Sequence, residues 1–289
     1  MKTEVLNLFR NIFKVSFLET RLRRLVDGKK TSAFISKLVP NNYQYAPGTV
    51  REFEYKGVRL KLDIHDYISH YLYFGFKDTS HEKLMGLVNQ GDVVLDIGTN
   101  FGTTILQFAD LVGKDGVTYG FEPDPINFAI CKTNLKLNDH SNVFVENVGL
   151  GSENGKVSLI VDTESNRGGN RIGVASQDKE SHEIDICVLD EWVGSRDIQR
   201  IDLIKIDVEG YEMEVLKGAS NVLLRYRPVL FIELDDNNLR QQNSSAPQVV
   251  GFLERLNYLI VHSENGNSVS TSDDFSNCHH DIVCRYLQS

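Results

Sequence analysis

Three groups of residues in this sequence could do chemistry, and each closes a short apolar run. The first is Asp96-Ile97-Gly98-Thr99-Asn100-Phe101-Gly102, where an acid ends Val93-Val94-Leu95 and a turn with two glycines follows. Glycine there allows positive φ and close approach of a ligand to the backbone. The second is Glu122, at the end of Val117–Phe121. One carboxylate has two acceptor oxygens and can hold two neighbouring hydroxyls. Its place, about twenty residues past the glycine loop, suits the ribose of a bound nucleoside. Asp124, just before Pro125, reads instead as a helix N-cap. Asn147, at the end of the run 143–148, is expected on the same ligand. The third group is Asp207-Val208-Glu209-Gly210-Tyr211-Glu212, with Glu233-Leu234-Asp235-Asp236-Asn237 as a second acid cluster. Carboxylates so placed can take a proton from a hydroxyl. Glu212 falls in the first turn of a helix, where an acid suits the macrodipole, so Asp207 and Glu209 are the candidates for chemistry. A divalent cation held by Asp207 with Asp235, Asp236 or Asn237 is the alternative. His279 and His280 are adjacent, so their side chains point apart. With no third ligand at suitable spacing they read as a loop pair, and no metal is expected.

Residues of this kind need a scaffold that brings strand ends together. After Gly102 a helical pattern runs through Ile105, Leu106, Phe108, Ala109 and Val112 to Gly113. Strand, glycine turn and helix is the opening unit of a doubly wound sheet, whose ligand sits at the carboxyl ends of the strands. Further strands are expected at 117–121, 143–148, 202–206, 228–232, 258–263 and 281–286, with helices between them. The fold class is therefore α/β: a seven-stranded, mostly parallel sheet with helices on both faces, plus an N-terminal helical and hairpin cap. Two strands, 156–161 and 183–189, flank a polar loop at 162–181, long enough to be a lid, a binding loop or disordered.

Residues 1–30 differ in character. Eight lysines and arginines stand against Glu4, Glu19 and Asp27, a net charge of +5, and Leu6, Phe9, Phe13, Phe17 and Leu18 recur at near-helical spacing. A basic amphipathic helix is expected. Such helices ordinarily turn their apolar side to protein, here the domain or a second copy of the chain; an anionic membrane surface is the alternative. Residues 51–62 alternate apolar and polar about Gly57, as a hairpin does. The aromatic segment 67–76, with His65 and His70 in or beside it, is suited equally to a substrate mouth and to core packing.

Composition bounds the rest. A chain of 289 residues with 41% apolar and 25% charged residues can build a full core. Its net charge of −9 argues against nucleic acid as a partner. No run reaches membrane-spanning length and no secretory signal pattern opens the chain. The four cysteines lack C-x-x-C spacing, which suits a reduced cytoplasm, with surface association to a membrane as the one departure considered.

The glycine order is not the G-x-G-x-x-G of dinucleotide binding, since Asn100 and Thr103 stand where glycines would. D-x-G-x-N-x-G instead resembles the first motif of S-adenosylmethionine-dependent methyltransferases. D-I-G-x-N-x-G, F-E-P-x-P, K-I-D-V-E-G-x-E-x-x-V-L-x-G-A and R-P-x-L-x-x-E, in that order, resemble the FkbM methyltransferase family over roughly residues 50–262; Thr99 departs from the family's usual Ala. The resemblance implies a class I methyltransferase fold, S-adenosyl-L-methionine as cofactor, and methyl transfer to a hydroxyl of a sugar, glycan or natural product. The chain is expected to divide into a basic helical segment (1–45), which lies outside the resemblance, a cap (46–90) and the methyltransferase domain (91–289). Asp96, Gly98, Asn100, Gly102, Glu122 and Asn147 are expected on the cofactor, and Asp207 or Glu209 as the base. A nicotinamide oxidoreductase and a non-catalytic binding module are the rival readings. The glycine order disfavours the first and the retained acids disfavour the second.

Overall fold

The computed structural model describes residues 2–163, 165–173, 180–276 and 278–287. The chain forms two compact units, one of residues 1–79 with 162–169, the other of 80–161 with 170–289. The segments expected at 1–45 and 46–90 thus fall mostly in the first unit.

In the first unit, α1 (Lys2–Ile12) and α2 (Ser16–Val26) replace the single helix expected. The hairpin pairs β1 (Val50–Tyr55) with β2 (Val58–Asp63), closing Tyr55 on Val58. Lys56 and Gly57 both have positive φ, 46° and 91°, which a two-residue turn of this hand requires. Strand alternation buries Phe53, Tyr55, Val58, Leu60 and Leu62. Helix α3 (Tyr67–Phe74) buries Tyr73 and Phe74, so most of the aromatic segment is core, although Tyr67 is half exposed. Residues of the polar excursion also belong here: Ser165 accepts from the Tyr67 amide, and the Arg167 amide donates to Asp66.

The second unit opens with α4 (Thr79–Met85), β3 (Val93–Ile97), α5 (Thr103–Val112), β4 (Val117–Phe121), α6 (Pro125–Lys136) and β5 (Val143–Glu146). A side sheet follows, of β6 (Gly149–Leu150), β7 (Gly155–Ile160), β8 (Arg171–Ile172) and β9 (Ser181–Cys187). Residues 164 and 174–179 of the expected loop lie outside the described residues. The chain ends with α7 (Leu189–Gly194), β10 (Leu203–Ile206), α8 (Glu212–Gly218), α9 (Ser220–Tyr226), β11 (Val229–Asp235), α10 (Asp236–Gln241), α11 (Ala246–Arg255), β12 (Tyr258–His262) and β13 (His279–Tyr286).

The main sheet has seven strands in the order β12-β13-β11-β10-β3-β4-β5. Only β13 runs antiparallel to its neighbours. Strand β10 is buried along its whole length, as a central parallel strand covered on both faces must be. The chain passes from β3 outward to β4 and β5 and later returns to β10 on the other side of β3. Their carboxyl ends therefore mark the switch point where such sheets bind ligands. Strand β11 runs to Asp235, beyond the expected end at 232, because β13 pairs with it as far as Asp235.

Candidate functional site

At the end of β3 the chain turns through Gly98, Asn100 and Gly102, with φ of 84°, 52° and 86°. A Cβ on Gly98 would lie 1.9 Å from the Asp207 carbonyl oxygen, and one on Gly102 would lie 2.7 Å from Cys131 Sγ. Both glycines are thus needed to seat the loop against its neighbours. Glu122 braces it: one carboxylate oxygen accepts from the Asn100 amide at 2.7 Å, the other from the Asp124 amide at 2.9 Å. Burial pushes the Glu122 carboxyl up to about 8, although the two amides pull the other way. Asn147 donates to the Glu122 and Pro123 carbonyls at 2.8 and 3.0 Å, so it holds the backbone that carries Glu122. Asp124 caps α6, accepting from the Ile126 and Asn127 amides, and also accepts from Asn170 at 2.6 Å.

Two buried groups around this turn have acceptor capacity to spare. Asp96 is fully buried and neither of its carboxylate oxygens accepts a well-formed hydrogen bond; Asn100 Oδ1 is buried and unpartnered as well. Burial raises Asp96 to about 6, with Lys205 opposing. Lys205 pairs with Asp96 at 3.4 Å, so Asn100 Oδ1 is the acceptor left without a partner, and such buried atoms are rare in folded proteins. Both groups fit a ligand that brings donors, as the ribose hydroxyls and ammonium group of S-adenosylmethionine do.

Beside them stands Lys205, a residue the motif reading passed over. Its Nζ lies 2.9 Å from the Gly98 carbonyl, 3.1 Å from Asp207 and 3.4 Å from Asp96. Burial works against its charge, but Asp207 and then Asp96 outweigh it and hold the ammonium protonated. Lys205 thus ties the glycine loop to Asp207 after β10. A lysine inside the otherwise apolar run Leu203-Ile204-Lys205-Ile206 was the available signal, because a buried charge must be paired.

Oxygens of Asp207, Glu209 and Glu233 lie within 4.8 Å of one another. Glu209 has φ of 53°, and one of its oxygens accepts from Asn238 at 2.8 Å. Burial, then Asp207 and Glu212, push its carboxyl up to about 8. Glu233 is pushed well above the usual carboxylate range by burial and by the same neighbours. Glu212 folds back to accept from the Val208 and Gly210 amides at 3.2 and 3.0 Å, so its first task is to shape this turn. The second acid cluster behaves differently from expectation. Asp235 caps α10, Asp236 accepts from the Ala246 amide and pairs with Arg240, and Asn237 is exposed. Glu233, from β11, is the third acid beside Asp207 and Glu209, and among the described residues oxygens of these three are the set that could share a cation. His279 and His280 begin β13 and do not lie in a loop. His279 pairs with Asp235 at 3.0 Å, whereas His280 faces His262 at 4.1 Å between ring centroids.

A seven-stranded sheet of this order with one antiparallel strand, a glycine turn after its first strand and an acid after its second define a class I methyltransferase with S-adenosylmethionine as cofactor. The chain belongs to the FkbM methyltransferase family: the model described as "Methyltransferase FkbM domain" matches residues 96–260. It is 27% identical over 177 residues to "2-O-methyltransferase NoeI" of Sinorhizobium fredii, covering 55% of this chain and 70% of that one. It is 29% identical over 145 residues to "Hexuronic acid methyltransferase AglP" of Haloferax volcanii, covering 48% of this chain and 55% of that one. Among solved structures, methyltransferase FkbM from Methylobacillus flagellatus superposes with a TM-score of 0.44 at 16% identity, over 76% of this chain and 52% of that one.

Proposed function

We propose that this protein methylates a hydroxyl oxygen of a sugar or glycan. The observation that carries the reading is the meeting of Lys205, Asp207 and Glu209 with the glycine loop at one switch point. The names of two of the curated relatives, a 2-O-methyltransferase and a hexuronic acid methyltransferase, support a sugar acceptor. When bound, S-adenosylmethionine supplies a methyl group already activated on a sulfonium. The chain therefore has to hold the cofactor, align the acceptor and take one proton. Gly98, Asn100 and Gly102 shape the cofactor loop, Asp96 and Asn100 offer acceptors, and Glu122 receives the ribose. Glu209 is the base, its carboxylate taking the proton of the acceptor hydroxyl; a carboxyl raised towards neutrality is a stronger base once ionised. Asp207, held by Lys205, is the other candidate. Residues 1–30 supply a further contact, to a membrane surface or a second copy of the chain.

The test uses a panel of glycans and hydroxylated metabolites. Glu209→Gln is expected to lower turnover by roughly 10²–10⁴-fold with cofactor affinity kept, and EDTA to leave the native enzyme unaffected. Loss of turnover in EDTA, restored by magnesium or manganese, would transfer activation of the hydroxyl to a cation on Asp207, Glu209 and Glu233.

A further inference from the structure

Helix α1 is mounted with its polar side inward. Arg10 Nε donates to the Lys37 carbonyl at 2.8 Å, Gln44 donates to the Asn7 carbonyl at 3.0 Å, and Lys14 Nζ reaches the Gln44 carbonyl. Three of its described apolar residues face away: Leu8, Phe9 and Ile12 are each more than half exposed, as are Val15 in the following turn and Phe17 at the start of α2. An amphipathic helix of a soluble domain does the opposite, and bulky apolar side chains presented in succession mark a surface made to be covered. Helix α2 keeps Leu22 and Val26 inside and points Arg21, Arg24 and Leu25 outward, with the Arg21 guanidinium stacked over the Phe17 ring. Of the described acids in this stretch, Glu19 is buried against Arg51 and Tyr73, and Asp27, exposed just after α2, offsets only part of the exposed charge of Arg21, Arg24, Lys29 and Lys30.

We infer that this face docks on an anionic lipid surface, with Leu8, Phe9, Ile12 and Phe17 entering the interface and Arg21 and Arg24 meeting headgroup phosphates. Charge selects the occupant. A two-fold dimer through the same face would set each basic segment against its own copy, whereas anionic headgroups neutralise it. The inference rests on the contact proposed for residues 1–30 and is independent of the methyl transfer. The short helix lies in the plane of the interface on this reading, and among the described residues no helix is long and apolar enough to cross a membrane.

The experiment is flotation of the full chain with vesicles of phosphatidylcholine alone or mixed with phosphatidylglycerol, with cofactor calorimetry on the same samples. Binding is expected to the mixed vesicles only and to weaken with salt. Arg21→Gln with Arg24→Gln should lower partitioning about 30-fold, from roughly 1 kcal/mol per cation near such a surface. Phe9→Ser with Ile12→Ser should abolish it, and cofactor affinity should stay unchanged in every variant. Absence of flotation with the mixed vesicles, or flotation indifferent to both double variants, overturns the inference. So does a dimer in sedimentation that dissociates on Phe9→Ser with Ile12→Ser, because the face then belongs to a second copy. Failure of cofactor binding with flotation intact would instead count against the methyltransferase reading.

Discussion

Glu122 and Lys205 show two ways a single residue can govern this site. Glu122 was legible from its place after the second strand, but its bracing of the Asn100 amide was not, since that contact joins residues 22 apart through a turn whose shape the sequence does not state. Lys205 was readable as an oddity in an apolar strand, whereas its partners become known only when β10 lies beside β3. Glu122→Gln removes the ionisable group and sets an NH2 against one of the two amides that the carboxyl braces, so cofactor affinity measured by calorimetry should fall by about 1–3 kcal/mol. Lys205→Met leaves Asp96 and Asp207 without their cation and the Gly98 carbonyl without its donor. Removing one partner of a buried pair costs about 3–5 kcal/mol, so this variant should melt well below the native protein. Native-like stability in Lys205→Met would show that the acids are relieved by taking up protons.

The elements that bear the site were the most readable part, because apolar runs closed by acids and glycines define both strand and turn. Boundaries set by distant pairing were not: β11 extends to Asp235 only because β13 lies against it, and α1 and α2 part at Phe13–Val15 without a proline or glycine to announce it. The start of α6 was legible in full, since Asp124-Pro125 combines a capping acid with a proline at the first turn. Two acids two residues apart therefore have separable duties. Asp124→Ala should lower stability by about 0.5–2 kcal/mol through the lost cap, measured by denaturant unfolding. The Asp124 amide that serves Glu122 is retained, so cofactor affinity should change little. A larger loss of affinity than in Glu122→Gln would mean that Asp124 itself meets the cofactor.

At the scale of the whole molecule, the site stores carboxyl groups that the fold prefers protonated. Burial raises Glu122 and Glu209 to about 8 and Glu212 to about 7. These three groups bind more protons in the folded chain than in the unfolded chain between the ordinary glutamate range and about pH 8, so their contribution to stability falls as pH rises across that window. His70 and His280, lowered to about 4 by burial, work the other way below the ordinary histidine value. The stabilising protonation of the three carboxyls is complete below the ordinary carboxylate values and gone above the raised ones. Without ligand the melting temperature is expected to decline between the ordinary histidine value and about pH 9, by several degrees. A ribose donating two hydroxyls to Glu122 favours the ionised carboxylate, so ligand binding releases a proton and tightens as pH rises towards 8. 5′-Methylthioadenosine has the ribose without a titrating amino group, which isolates this effect. At fixed concentration it should raise the melting temperature more at pH 8.5 than at pH 6.5, and Glu122→Gln should erase the difference. Equal protection at both values in the native protein would mean that the ribose hydroxyls are held by another residue.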